Sequence, residues 1–409
     1  MVIKPMVRNN ICINSHPAGC AAVVMRQIEY VKKHIGGGGE GTPKLALVIG
    51  CSTGYGLASR IAAAFAYGAV TVGVSFEKPA SESKPGTPGY YNNMAFDHEA
   101  RKAGLVSISL DGDAFSDEAK AQAAEAVKKA AAEAGIPAKI DLIVYSLASP
   151  VRTDPKSGTM HRSVIKPIGQ SFSGRTVDMM SGTISTATAE PATDEEIANT
   201  VKVMGGEDWE LWMEALAKEE LLSPNARSLA YTYLGPELSW AIYKNGTIGR
   251  AKEDLERAAA EINKKYQSSG KIAGAWVSVN KALVTRASAV IPIIPFYVSC
   301  LFKVMKEKGI HEGCIEQIVR LYRDRLYTAD AQNDPRKTPA DSEGRIRLDD
   351  WEMRDDVQQE TKSRLESASE ETLDSLADLA GFKHDFLEAH GFDVEGVDYD
   401  ADVNTSGIF

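Results

Sequence analysis

The chain has little that would mark it as secreted, metal-bound or membrane-embedded. Its 409 residues include only five cysteines. Cys12, Cys20, Cys51, Cys300 and Cys314 are scattered and form no C-x-x-C pair, so neither a disulfide framework nor a zinc site is indicated. Positive charge is in deficit: 46 Lys and Arg against 56 Asp and Glu leave −10 at pH 7. Nucleic acid or an anionic membrane surface would be repelled on average. No run reaches the roughly 20 apolar residues of a spanning helix. The most apolar stretch, Ala289 to Phe302, is shorter and carries Pro292 and Pro295. It reads as a core helix with an irregular start, or as an apolar wall over a lipid-like substrate. The opening MVIKPMVRNN lacks the apolar run of a signal peptide, which points to the cytoplasm. His311, His384 and His390 have no partners at metal-ligand spacing, so no metal is expected. Ser52 and Ser149 lack the elbow and His/Asp partners of a serine hydrolase.

What is present belongs to a globular chain with a sizeable core: 44% of residues are hydrophobic and 25% charged. After a helical stretch at Gly19 to His34 and the glycine run 36–39, short apolar segments alternate with helical ones. Lys44 to Gly50, Ala69 to Phe76, Leu105 to Leu110 and Ile140 to Ala148 read as strands. Gly54 to Phe65, Asn92 to Lys102 and Asp117 to Ala134, the last capped by Ser116, read as helices. Near-continuous apolar strands of this length suit a parallel sheet covered on both faces. The spacing predicts an α/β fold with a doubly wound, Rossmann-type parallel sheet like that of short-chain dehydrogenases. Two further strands are expected at Arg227 to Leu234 and Ala275 to Val284, with a long helix from about Ile248 to Tyr266 between them. Pro150 to Pro191, rich in Pro, Gly, Ser and Thr, reads as a long inserted loop. Residues 1–43 read as an N-terminal extension, 44–330 as the catalytic domain with substrate-side insertions, and 331–409 as an acidic extension of the same globule, its tail packing on the surface.

The strongest local motif is Gly50-Cys51-Ser52-Thr53-Gly54-Tyr55-Gly56, between a predicted strand and a predicted helix. Glycines there let the backbone turn tightly and let a pyrophosphate approach the amides of the helix N-terminus. The spacing G-x-x-x-G-x-G is the short-chain dehydrogenase form of the dinucleotide fingerprint; a glycine-rich turn without a ligand is the bland alternative. Glu77, at the end of the second strand, can accept hydrogen bonds from ribose hydroxyls and would repel a 2′-phosphate, favouring NADH over NADPH. Lys78 beside it weakens that exclusion. Asp113-Ala114 and Leu147-Ala148 follow the third and fourth strands, where such a fold lines its cofactor crevice.

Were such a cofactor to reduce an activated double bond, the resulting enolate would need a donor at the carbonyl and a source of protons. Tyrosine with a nearby lysine supplies both, the ammonium lowering the phenol pKa. Tyr243 and Lys252 have the right chemistry, but residues nine apart on one helix face opposite ways. They converge only if Asn245-Gly246 breaks the helix. An unrelated surface tyrosine and lysine remain the other reading.

Long phrases in order resemble one family. VIKPMVRNNICINSHPAGC, GCSTGYGLASRI, GVSFEKP, GDAFSDE, IVYSLASPVRTDP, VMGGEDWE, YTYLG, YKNGTIGRAK, ALVTRASAVIPIIPFY, LFKVMKEKGIHEGCIEQI and FDVEGVDYDADV are similar to stretches of the trans-2-enoyl-CoA reductase family of the FabV/TER type. The resemblance implies NADH-dependent reduction of the 2,3 double bond of a trans-2-enoyl thioester, carried on CoA or on acyl carrier protein. It also implies a monomer. The family pattern Y-x8-K falls on Tyr243 and Lys252, implying Tyr243 as proton donor and Lys252 as a cofactor contact. It likewise implies Gly50, Cys51, Ser52, Thr53, Gly54, Tyr55, Phe76, Glu77, Asp113, Ala114, Leu147 and Ala148 as NADH contacts. Leu283, Val284 and Thr285 are implied beside the nicotinamide, Tyr233 beside the thioester, and the apolar helix after Pro292 as the acyl-chain wall. A short-chain-type carbonyl reductase, or a non-catalytic NADH-binding protein, would share the cofactor site.

Overall fold

The computed structural model describes residues 1–8, 11–82, 84–179, 181–285 and 294–407. The fold is organised by β1 (Leu45–Ile49), whose five residues are all buried. Side chains alternate across a strand, so Leu45, Leu47 and Ile49 enter one apolar layer while Ala46 and Val48 enter the other. β1 can therefore sit only in the middle of a three-layer sandwich.

The chain passes through α2 (Gly54–Tyr67) to β2 (Val70–Ser75), then α3 (Pro88–Lys102), β3 (Ser107–Asp111), α4 (Asp117–Glu133) and β4 (Ile140–Tyr145). It continues through α5 (Asp194–Met204) and α6 (Glu207–Lys218) to β5 (Leu222–Thr232), and by α7 (Thr247–Ile262) to β6 (Gly274–Val279). α8 (Ile294–Glu307) and α9 (Cys314–Leu321) precede the edge strand β7 (Arg345–Arg347). The strands form one sheet in the order β3-β2-β1-β4-β5-β6-β7, parallel throughout. The strand order reverses between β1 and β4, where a doubly wound sheet opens its ligand crevice. α4, α6 and α7 cover one face; α2, α3, α9 and the N-terminal helix α1 (Pro17–His34) cover the other. α4 turns a row of alanines and Val127 to the sheet, which brings it in closely. Ser116 caps it through its hydroxyl, accepting from the Ala119 amide at 3.0 Å.

Two regions differ from the sequence reading. Residues 150–191 are not one loop. They hold two antiparallel hairpins, Val151–Thr153 with Met160–Arg162 and Phe172–Val177 with Ile184–Ala189. Asp154 and Asp178 tie each turn by side-chain bonds to following amides, a turn chemistry that composition alone does not expose. β5 starts at Leu222 rather than Arg227, with a register break between the two. Pro224 in that gap cannot donate to the ladder, which hid the strand's beginning. The acidic tail packs on the surface through a few anchors: Phe392 and Val394 are buried, the N-terminal amine donates to the Val403 carbonyl at 2.9 Å, and Glu395, Asp398, Asp400 and Asp402 are exposed. Residues 286–293, with Pro292, lie outside the described residues; the apolar helix is seen from Ile294 as α8.

β7 carries the charged pattern of a protected edge. Ile346 is buried, while Arg345 donates two hydrogen bonds to Glu256, both at 2.8 Å, and Arg347 two to Asp349, both at 2.7 Å. Two further helices, α10 (Asp355–Ser367) and α11 (Leu379–Glu388), complete the chain, and α11 lies against α8 and α1. α1 is locked to the segment after α11 by a glycine pair: a Cβ on Gly19 would run into the Gly391 carbonyl, and Gly391 itself sits at φ +76°. No helix among the described residues is long and apolar enough to cross a membrane. Gly19→Val is expected to lower stability by about 1–3 kcal/mol through this overpacked contact, read as a shift in the urea midpoint at constant slope.

Candidate active site

Because all seven strands run parallel, the segments leaving their carboxyl ends share one rim. They enclose a cavity of about 1340 Å³. Its floor is the turn after β1. Gly50 has φ +86°, and a side chain there would strike the Ser146 carbonyl; a Cβ on Gly56 would strike the carbonyl of Gly50. The turn is therefore bare backbone. It is braced by Gly50 and Cys51 amides donating to the Val74 carbonyl at 2.8 and 3.1 Å, and by Asn92 donating to the Ser52 carbonyl at 2.9 Å. Thr53, at the start of α2, makes no side-chain cap, which leaves the first helical amides open to a ligand.

Ser52 donates to Glu77 at 2.7 Å, linking that turn to the end of β2. After β3, Ala114 is held from behind, its carbonyl accepting from Trp212 at 3.1 Å and Lys120 at 3.3 Å. Lys120 is in turn paired with buried Asp208 at 2.8 Å. Leu147 and Ala148 follow β4 on the same wall. Phe76 stands 77% exposed at the rim. Leu283, Val284 and Thr285, after β6, form the opposite side. Of the cofactor residues expected from sequence, only Cys51 has its side chain turned away. It is fully buried beside Arg60 and Asn93, and burial pushes its thiol pKa up.

Tyr243 and Lys252 do converge on the cavity. Tyr243 lies in a turn after a short 3-10 segment, Asn245 closes back onto the Trp240 carbonyl at 2.7 Å, and α7 starts only at Thr247. Gly249 lets the helix pass close to the Lys244 carbonyl. The helix break removes the 180° offset. Lys252 donates to the Tyr231 carbonyl at 3.4 Å, and burial lowers its pKa to about 8. Burial pushes the Tyr243 pKa up.

The two tyrosines pack edge to face with ring centres 5.0 Å apart, yet their hydroxyls differ. Among the described residues nothing bonds the Tyr243 hydroxyl. Tyr233 donates to Glu352 at 2.9 Å. Glu352, which follows β7, has no exposed surface. It also accepts from the Tyr297 hydroxyl at 2.7 Å and the Ala282 amide at 2.6 Å. Sequence reasoning missed Glu352 because the run Asp349 to Asp356 looks like a solvated acidic stretch. Lys281, also unforeseen, is 2% exposed on the cavity wall with its pKa lowered to about 8 by burial. Ile294 at the start of α8 lines the apolar end.

Three family models match the chain. They are the NAD(P)H binding domain of trans-2-enoyl-CoA reductase over residues 2–82, the trans-2-enoyl-CoA reductase catalytic region over 84–327, and the enoyl reductase FAD binding domain over 340–403. Trans-2-enoyl-CoA reductase [NADH] of Treponema denticola is 59% identical over 98% of both chains. Enoyl-[acyl-carrier-protein] reductase [NADH] of Cytophaga hutchinsonii is 54% identical over 99% of this chain and 98% of its own. The crystal structure of the Treponema enzyme in complex with NAD superposes with a TM-score of 0.92 at 58% identity, covering 98% of each chain.

Residues 340–403 do not fit a flavin. The part facing the cavity, at the end of α11, brings the carboxylates of Asp385 and Glu388 with His384 and His390. A flavin diphosphate needs a nest of amides at a glycine-rich turn or unpaired cations. The glycines of this stretch (Gly344, Gly381, Gly391 and Gly396) stand apart in the sequence. The bare turn at 50–56, by contrast, fits a dinucleotide pyrophosphate. Gly56→Val, which forces that turn out of place, is expected to weaken binding of reduced nicotinamide dinucleotide by more than about tenfold, as followed by fluorescence titration.

Proposed function

The chain belongs to the trans-2-enoyl-CoA reductase family and is an NADH-dependent reductase of the 2,3 double bond of enoyl thioesters, and we propose that Tyr243 is the phenol that holds the thioester oxygen during the reaction. NADH, when bound, supplies the hydride that reaches the β-carbon. The turn Gly50 to Tyr55 would carry the pyrophosphate, Glu77 the adenosine ribose, Asp113 and Ala114 the adenine, and Phe76 the rim beside it. Leu147 and Ala148 would flank the middle of the dinucleotide. Leu283, Val284 and Thr285 would face the nicotinamide, and the Lys252 ammonium would bind its ribose. In this reading the enzyme works as a monomer in the cytoplasm, where reduced nicotinamide and acyl thioesters meet.

The observation that carries the assignment is the difference between two neighbouring hydroxyls. Tyr243 has its hydrogen available to the cavity, whereas that of Tyr233 is spent on Glu352. As the double bond is reduced, negative charge moves onto the thioester oxygen. A donor already fixed in a dry wall stabilises that charge without reorganising. Burial serves this role, because a phenol that holds its proton firmly stays a donor throughout. Tyr233 would stand beside the thioester, and Ile294 at the start of α8 would offer an apolar contact to the acyl chain.

With crotonyl-CoA as substrate, Tyr243→Phe is expected to lower kcat by about 10²- to 10⁴-fold while NADH affinity changes little. A variant that keeps most of its turnover would sink the assignment. Glu77→Ser, which removes the charge that repels a 2′-phosphate, is expected to raise kcat/KM for NADPH relative to NADH by about tenfold or more. The ratio of initial rates with the two coenzymes measures it.

A further inference from the structure

We infer that Glu352 is a positioning residue for the reduction, its side chain fixing the Tyr233 ring against which Tyr243 packs. The inference rests on the reading of Tyr243 as the phenol at the thioester oxygen, and it leaves that role with Tyr243.

Tyr243 reaches the cavity from a turn, between a short 3-10 segment and the start of α7. Its hydroxyl has no hydrogen-bond partner among the described residues, and its ring lies in the same apolar cluster as Ile248, Leu283, Val284 and Ile294. Packing therefore sets the direction of that phenol. The neighbour that gives packing a direction is Tyr233, whose ring meets it edge to face, with centres 5.0 Å apart and planes at 80°. The ring quadrupoles favour that arrangement, so a displaced Tyr233 carries the preferred place of Tyr243 with it.

Tyr233 is itself anchored. It follows the end of β5, and its hydroxyl donates to Glu352 Oε1 at 2.9 Å, which stops the ring from swinging about its side-chain bonds. The acid is in turn held from three other elements. Oε1 also accepts from Tyr297 of α8 at 2.7 Å, and Oε2 accepts from the Ala282 amide, after β6, at 2.6 Å. The Glu352 main-chain carbonyl accepts from Gln358 of α10 at 2.7 Å. Gln358 also donates to the Tyr297 hydroxyl at 3.1 Å, which closes a ring of contacts. Glu352 has no exposed surface, so bulk water does not compete for these partners. A side chain so constrained passes its position on to the phenol it holds. A displacement of about 1 Å near reacting groups can cost on the order of 10²-fold in rate.

What this geometry demands of residue 352 is reach. One end must touch two phenols and an amide that arrive from different elements. Aspartate would keep the charge but is one methylene too short to meet all three. Glutamine would keep the reach: its oxygen accepts from Ala282, and its NH₂ group donates to the two phenol oxygens, whose hydrogens turn away. The rings then stay in place although the charge is gone. Reach and charge are thus separated by two conservative substitutions.

The test is kcat and KM with crotonyl-CoA and NADH for Glu352→Asp and Glu352→Gln. Glu352→Asp is expected to lower kcat by about 10- to 100-fold and Glu352→Gln by less than about fivefold. The NADH dissociation constant is expected to stay within about threefold in both. On a Tyr233→Phe background, Glu352→Asp is expected to cost no more than about a further twofold, because the hydroxyl that the acid holds is gone. A role in supplying charge or protons predicts the opposite order, so Glu352→Asp as fast as Glu352→Gln, or faster, would overturn the inference. So would costs that multiply in the double variant, or a fall in kcat matched by loss of NADH binding. If Glu352→Asp does not fold, Tyr233→Phe decides. Full turnover there leaves the acid nothing to position and overturns the inference; a lowered kcat with NADH affinity intact supports it. In an enzyme that loses its turnover in Tyr243→Phe, these outcomes bear on Glu352 alone. A Tyr243→Phe enzyme that keeps its turnover overturns the reading beneath it.

Discussion

The parallel direction of all seven strands is the constraint on which the site depends. Parallel pairing forces every connection to cross the sheet and return, so every strand delivers its following segment to the same rim. Gly50 follows β1, Phe76 and Glu77 follow β2, Asp113 follows β3 and Leu147 follows β4. Tyr233 follows β5, the 281–285 segment follows β6, and Glu352 follows β7. Residues up to 300 positions apart thus meet without any loop having to be steered there individually. An antiparallel strand anywhere in the set would have sent its residue to the opposite edge.

Burial acts in the same sense on the polar groups gathered at that rim. It pushes the phenols of Tyr233, Tyr243 and Tyr297 up, lowers the ammoniums of Lys252 and Lys281 to about 8, and raises the carboxyl of Glu352. Each shift favours the neutral form. Such a chamber strengthens any charge–dipole contact made inside it and discourages water from competing for the thioester oxygen. The two lysines stay close to the edge of ionisation, where a bound phosphate-bearing ligand would favour the charged form.

How much of this was legible in the sequence followed from how local each feature is. The Gly50 to Gly56 turn could be placed on the cavity because it lies within one βα unit, and Glu77 because strand length fixes its distance from that turn. Tyr243 and Lys252 were ambiguous on helical geometry, and only the family resemblance brought them together. The structure supplies the reason: the chain turns sharply at Asn245 and Gly246 before α7 begins. The hairpins within 150–191 were missed because their strands are short and polar, held by aspartate turns rather than by an apolar face. Glu352 left no local trace. Its partner Tyr233 is 119 positions away, and a buried acid inside an acidic stretch has the same one-letter appearance as its solvated neighbours.

The chemistry around Glu352 also explains why an acid should stand there at all, given what burying one costs. Its three neighbours, the Tyr233 and Tyr297 hydroxyls and the Ala282 amide, can all donate, and the amide can only donate. A carboxylate accepts from all three at once, which a hydrophobic side chain cannot do and an amide can do only by reversing the phenols. One residue thereby ties Tyr233 to the apolar helix α8 and to the segment that follows β6. The three walls of the chamber are then held at fixed spacing by a single group from the C-terminal segment. That segment does not fit a flavin, and its contribution to the chamber is structural and acidic: it closes the sheet with β7 and sets the acid against the phenol.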